Sequence, residues 1–317
     1  MVRPVRERAP LRRLSHTRAL VFLRLCAALA GLVFLWSLLR ARFAVELPPL
    51  DARVPLVLGL VGLSFTCYAA RFGLVMRWGG VPLGLLQSLR ICATAQFYQA
   101  LTPISFGSDL TRYAMCRTAA PAASRRRLIG AILLDHLVGS MALALLAVPL
   151  LERLLHGYAP QFSVVLASGV VLLALLGAGI GIRARMRRHW RILVAARRAA
   201  VAALCLSVLM HALLAVAVAL TATLWGMTVP LGEVVGVLAC GALLQVVPVN
   251  LLGIHLGDAA GVGLYLWQGR ALAEAMLLST IAWTLRLSIA VLGGSWEAAR
   301  MVLASRCPKD APRTPEA

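Results

Sequence analysis

The chain has 317 residues, 61% of them hydrophobic and 14% charged, with a mean hydropathy of +0.85. A soluble globular domain carries about 45–50% apolar residues, so the composition excludes an ordinary soluble fold. The formal net charge of +20 invites a nucleic-acid partner; the arginines, however, fall between apolar runs, where they hold loops on the cytoplasmic side of a membrane, and no nucleic-acid partner is expected.

A helical span needs about 20 consecutive apolar residues, and that length picks out the predicted elements. Residues 1–18 form a basic N-terminus, Arg3, Arg6, Arg8, Arg12, Arg13 and Arg18 against Glu7, which stays cytoplasmic. Ala19–Leu39 exceeds the roughly 7–15 residues of a signal-peptide core and reads as a retained first span, with Arg24 snorkelling near its cytoplasmic end. The balanced connection from Arg40 to Arg53 lies outside, and Val54–Ala70 crosses back. Residues 71–127 carry eight arginines and the single acid Asp109, so this segment is anchored in the cytoplasm. Leu128–Leu151 then leads out to the neutral Glu152–Arg153 connection, Phe162–Ile182 leads in to a second basic loop from Arg183 to Arg198, and Ala199–Trp225 leads out.

Two apolar stretches remain, Val234–Leu252 and Ala271–Trp296, while Arg300, Arg306, Lys309 and Arg313 place the C-terminus inside. An even number of crossings is therefore required. Val234–Trp267 satisfies this as a re-entrant pair, giving six full spans; Gly253–Trp267 as a crossing helix would give about eight. The re-entrant version is preferred, because fifteen residues with four glycines and an Asp make a poor span. The expected architecture is thus an all-α polytopic inner-membrane protein. Its single transmembrane domain covers residues 19–299, followed by a disordered cytoplasmic tail at 300–317.

Non-helical backbone at membrane depth is tolerated only where protein or water satisfies it, and two segments have that character. Val81–Arg112 is broken by Pro82, Pro103 and Gly107; Gly241–Gly263 is broken by Pro248 and several glycines. Both run Gln, Pro, Gly, Asp: Gln99, Pro103, Gly107 and Asp109 in the first, Gln245, Pro248, Gly253 or Gly257, and Asp258 in the second. The spans that follow align loosely, Ala131 with Ala275. A weak internal repeat of interrupted helices points to a transporter's central site.

Individual residues carry two readings each. Asp109 and Arg112, three apart, share a helix face; they form either a surface ion pair on a capped cytoplasmic helix or an anion site at a helix N-terminus. Asp135 and His136 lie seven and eight residues into their span, where ionisable groups are costly and functional by default, unless they form a packing cluster with Ser140. Arg286, in the middle of the last span, pairs with Asp135 or Asp258 or meets a lipid phosphate. Gly253, Gly257 and Gly261 recur every four residues, a close-packing face. Asn250 follows Pro248 and would reach freed backbone groups or a ligand, while His255 and Asp258 are the polar members of that segment. His211 reads as a hydrogen-bonded packing residue, and the seven scattered cysteines as apolar fillers. No HExxH, GxSxG or metal-like spacing occurs, so no catalytic residue, metal or cofactor is expected.

The segment Leu101–Tyr113, "LTPISFGSDLTRY", together with "ILLDHLVG" and "PVNLLGIHLGDAAG", resembles the lysylphosphatidylglycerol synthase transmembrane region, a flippase-like membrane family. Pro103, Gly107, Asp109 and Arg112 match its P-x-x-x-G-G-D-x-x-R pattern, with Ser108 in place of a Gly and His136 where the family usually has Arg. The late G-x-G-x-R-E segment appears as Gly253 to Asp258, without its second Gly and its Arg. The resemblance implies translocation of an anionic or lipid-linked amphiphile between leaflets, with Gln99, Pro103, Gly107, Asp109, Arg112, Asp135, His136, Asn250, His255, Asp258 and Arg286 as the lining of its headgroup site. The partners implied are membrane lipids of phospholipid, isoprenoid or hopanoid type, and a membrane-enzyme partner. The alternatives are a membrane-embedded transferase, or its accessory subunit, acting on a lipid-linked substrate, and a scaffold without transport.

Overall fold

The computed structural model describes residues 52–101, 107–155, 190–245, 250–251 and 254–306, together with Ser37. Among them are eight helices: α1 (Arg53–Trp78), α2 (Leu85–Leu101), α3 (Gly107–Ala119), α4 (Arg125–Leu155), α5 (Trp190–Thr223), α6 (Leu231–Leu244), α7 (Leu256–Trp267) and α8 (Leu272–Arg306). Between α6 and α7 a two-residue antiparallel ladder joins β1 (Asn250–Leu251) to β2 (Ile254–His255). Stretches of α1, α4, α5 and α8, namely Arg53–Trp78, Arg125–Leu154, Arg198–Thr223 and Leu272–Ala299, are long and apolar enough to cross a membrane. The chain is a helical membrane protein. The predicted spans Ala19–Leu39 and Phe162–Ile182 lie outside the described residues.

Several boundaries differ from expectation: α5 starts at Trp190 and α8 continues to Arg306, and three further differences bear on the site. The Val54–Ala70 span continues to Trp78, because the residues after Arg71 stay apolar; Arg71 is consequently a buried helix residue and not part of a cytoplasmic loop. The Val234–Leu252 stretch is not one helix: α6 ends at Leu244 with Gln245 as its C-cap. Finally, α7 begins only at Leu256 and has 12 residues, about 18 Å at 1.5 Å per residue, well short of a hydrocarbon core of about 30 Å.

The helix ends follow local rules. At the end of α1 the Val81 N–H donates to the Met76 carbonyl and the Gly80 N–H to Arg77, a Schellman closure that needs a left-handed residue; Gly80 supplies it with φ 81°. Gly269, φ 84°, closes α7 the same way, with Arg270 donating to Tyr265. At the start of α4, Ser124 Oγ accepts from the Arg127 N–H at 3.4 Å.

Two helical hairpins turn back inside the bundle, from opposite ends. α2 and α3 start and finish beside the C-terminus of α1 and the N-terminus of α4, where Ser88 abuts Gly73 and Ala131 abuts Gly79. α6 and α7 start and finish at the other end, where Arg270 forks onto Glu233 at 2.9 Å on both oxygens and Arg53 donates to Thr223. Gly241 and Gly257 let α6 and α7 cross backbone to backbone; a Cβ on Gly257 would overlap the Gly241 carbonyl oxygen. Gly293 of α8 meets the Ala93 carbonyl of α2 in the same way.

The apolar core is correspondingly split. One cluster, including Val61, Leu150, Val218, Val237 and Leu278, fills the α6–α7 end. Another, including Phe72, Met76, Cys92, Cys116 and Leu128, fills the α2–α3 end. Polar side chains of α1 and α3 lie against the second cluster, with Arg71 and Arg112 on the Tyr68 ring.

Candidate functional site

The central group is a buried charge cluster. Arg71 of α1 donates from Nε and Nη2 to the two carboxylate oxygens of Asp135 on α4, at 2.9 and 3.0 Å, and from Nη1 to Ser207 Oγ of α5 at 3.1 Å. Asp135 and Ser207 are fully buried, and Arg71 nearly so. A forked, charge-assisted pair of this kind fixes three helices in register. It also shows why Asp135 is tolerated in a spanning helix: its charge is matched inside the bundle.

Arg112 of α3 completes the cluster differently. Its Nη1 lies 3.7 Å from Asp135 and 3.5 Å from Asp109, beyond ordinary hydrogen-bond length, and its Nε is buried without a partner. The guanidinium carbon stands 5.4 Å from the Tyr68 ring centroid and 5.5 Å from that of Phe72, a cation–π seat. Arg112 is only 4% exposed, so the surface ion pair is not what the structure contains. Held by aromatic faces, this guanidinium retains donors for an oxyanion.

Beside the buried cluster lies a more exposed pair from α3 and α4. Asp109 lies in the first turn of α3, whose first residue is Gly107, and accepts from or pairs with His136 Nε2 at 2.8 Å. Their side chains are 29% and 50% exposed. His136 is eleven residues from the start of α4, about 16 Å along its axis. The motif therefore meets α4 well inside the helix, rather than at its N-terminal end.

A second pair lies in the other hairpin. Asp258, in the first turn of α7, pairs with Arg286 of α8; of its two expected partners, Asp258 is the one Arg286 takes. Gln245, Gly241, Gly257, Tyr265 and Ser279 line a cavity beside this pair. The two hairpins thus share a plan. In each, an Asp in the first turn of the short second helix reaches a basic residue on the following long helix, 27 residues on at His136 and 28 at Arg286. This pairing sets Asp109 against Asp258 and His136 against Arg286, 149 and 150 residues apart, whereas aligning Ala131 with Ala275 would give 144.

The remaining expected residues are spread out. Gln99 is half-buried on α2 and has a polar contact of its own. Pro103 lies outside the described residues. Asn250 and His255 stand opposite each other in the short ladder, and their side chains lie outside the described residues. His211 is not hydrogen-bonded as expected: its Nε2 is buried without a partner. Arg71, Ser207, Tyr68 and the Glu233–Arg270 pair were not among the expected site residues. Only Arg71 had a signal, the apolar run that continues past it to Trp78. No family model, curated protein or solved structure matches the chain.

Proposed function

We propose that the chain is a lipid flippase-like transporter of the cell inner membrane, which binds the anionic headgroup of a phospholipid, isoprenoid or hopanoid-type lipid and carries it between leaflets. The observation that carries this reading is Arg112: buried, seated on two aromatic rings, unsatisfied at Nε, and beside the part-exposed Asp109–His136 pair. Exposed ionisable groups so far along a spanning helix are costly against hydrocarbon and suit a path for a polar headgroup. Lipid phosphate provides acceptors for a guanidinium, while acyl or isoprenoid chains stay in the bilayer.

In this reading six full spans surround two re-entrant hairpins, and the termini are cytoplasmic. Arg125–Arg127 mark the α2–α3 end as the inner face. The α2–α3–α4 and α6–α7–α8 units are then an inverted repeat with ion pairs near the midplane, the arrangement around which alternating access operates. The resemblance to the flippase-like family rests on the same segment, through Gly107, Asp109 and Arg112.

The test is a leaflet-resolved assay of fluorescent phospholipid in proteoliposomes without nucleotide. Wild type should accelerate exchange over empty vesicles, and Arg112→Gln should reduce it by about tenfold or more, the loss expected from one charge-assisted hydrogen bond of about 1.5–3 kcal/mol. Full activity in Arg112→Gln, or no acceleration by wild type, refutes the reading. A covalently altered lipid would indicate the transferase alternative.

A further inference from the structure

A narrow chamber runs along α7, between α6 and α8. The α7 residues that line it are Gly257, Asp258, Gly261 and Tyr265. Asp258 and Tyr265 are seven apart, on one helix face and about 10 Å from each other along the axis. Glycine lies between them. Opposite Gly261 stands Ser279 of α8, whose Oγ would be 3.2 Å from a Cβ at that position. The cavity holds about 20 Å³, room for a water molecule, which needs about 10–15 Å³.

The walls ask for water. Tyr265 is 1% exposed, and its Oη, like Ser279 Oγ, is buried without a hydrogen-bond partner. Polar interiors of this kind are completed by ordered water. The two hydroxyls lie between two charged pairs. At the inner end are Asp258 and Arg286, with Gln245 of α6 lining the same cavity. At the other end the backbone N–H of Arg270 closes α7 on the Tyr265 carbonyl at 3.1 Å, which sets the Arg270 guanidinium, forked onto Glu233, one turn beyond Tyr265. Arg270 also lies 3.7 Å from Glu274, whose side chain is 42% exposed, so this end reaches the surface.

We propose a water-bridged proton path that starts at the Glu233–Arg270 rim and runs through Tyr265, Ser279 and this chamber to Asp258, and that a proton arriving on Asp258 releases Arg286 for an anionic headgroup. Each oxygen along the path accepts one proton and passes on another. The net change converts one hydronium at the rim to water and one carboxylate to carboxylic acid, with nothing oxidised. The acid no longer pairs with the guanidinium as a charge, so proton binding and anion binding at Arg286 favour each other. The inference rests on the translocation reading and supplies its driving gradient.

The test uses the purified full chain in vesicles of neutral and anionic phospholipid, with pyranine inside, a potassium–valinomycin clamp and an external acid pulse. Leaflet exchange is read on the same vesicles. Wild type should acidify the lumen faster than empty vesicles. Tyr265→Phe, Ser279→Ala and Gly261→Ala should each slow this by about tenfold, or about 1.4 kcal/mol on the transfer barrier. Asp258→Asn should fall to the empty-vesicle rate. Should that variant not survive purification, Tyr265→Phe decides, since it deletes one oxygen and keeps the ring. Wild-type acidification equal to empty vesicles, or unaltered rates in all the variants, overturns the proposal. Lipid exchange that is indifferent to the pH gradient would sink the proton path alone; Asp258-dependent proton uptake without lipid exchange would sink the translocation reading alone.

Discussion

Replacing Asp135 by Leu or Arg71 by Met tests the central cluster most directly. Asp135 is fully buried and accepts two hydrogen bonds from Arg71, with Arg112 at 3.7 Å as the second cation. Asp135→Leu leaves two guanidinium groups inside the bundle with only Asp109 near one of them. Arg71→Met leaves the carboxylate with a single loose partner. Breaking a buried pair by removing one member costs about 3–5 kcal/mol, while replacing both by apolar groups is often neutral. At about 2–4 °C per kcal/mol for chains of 150–250 residues, each single variant should lower the unfolding midpoint by about 6–20 °C. The double variant should recover most of that loss. Thermal unfolding in detergent, followed by tryptophan fluorescence, gives the four midpoints of the cycle, and the coupling should be large and favourable. Singles within about 2 °C of wild type, or a double shift equal to the sum of the singles, would show that the pair does not hold the helices as described.

The other predictions concern the hairpins. Gly257→Ala places a methyl on the Gly241 carbonyl, so it should destabilise by about 1–3 kcal/mol or more; Gly263→Ala on the same helix meets open space and should be silent, both read as the midpoint and yield by size-exclusion chromatography. Glu233→Gln and Arg270→Lys each break a fork at a partly exposed rim and should cost about 1 kcal/mol, clearly less than the Arg71 variants in the same melt. With native cysteines removed, Ala122→Cys and Thr228→Cys, at opposite ends of the bundle and both exposed, should react with an impermeant maleimide from opposite sides of intact and inverted vesicles; labelling from one side rejects the inverted arrangement.

What the sequence disclosed depended on contrast. Asp109, Arg112, Asp135 and Arg286 stand out because ionisable groups amid long apolar runs are rare and costly. Arg71 did not, since it sits where one run stops and another begins, and a loop arginine has the same letter as a buried one. The pairings were beyond reach: Arg71 meets Asp135 and Ser207 across 64 and 136 residues, and no local spacing encodes that. The order Gln, Pro, Gly, Asp exposed the likeness of the two interrupted segments, but the following helices were set out of register. Ala and Leu recur so often there that they carry no phase, whereas the ion pairs do. The length of α6 was hidden for a related reason, because the apolar run continues past Leu244 although the helix does not.

α8 joins the two halves of the site. Arg286 binds the tip of one hairpin, and seven residues on, about 10 Å along the axis, Gly293 rests against the Ala93 carbonyl of the other. Gly294 faces the Phe97 ring in the same contact. Where side chains separate two helices, a small shift can be absorbed by rotamer changes; where backbone touches backbone, there is nothing to rearrange, and close-packed interiors pass displacement on. Asp258 and α2, the helix leading toward Asp109 and Arg112, therefore rest on the same element. Gly293 and Gly294 thus fix how closely α8 can lie against α2, and a side chain at either would push the two helices apart.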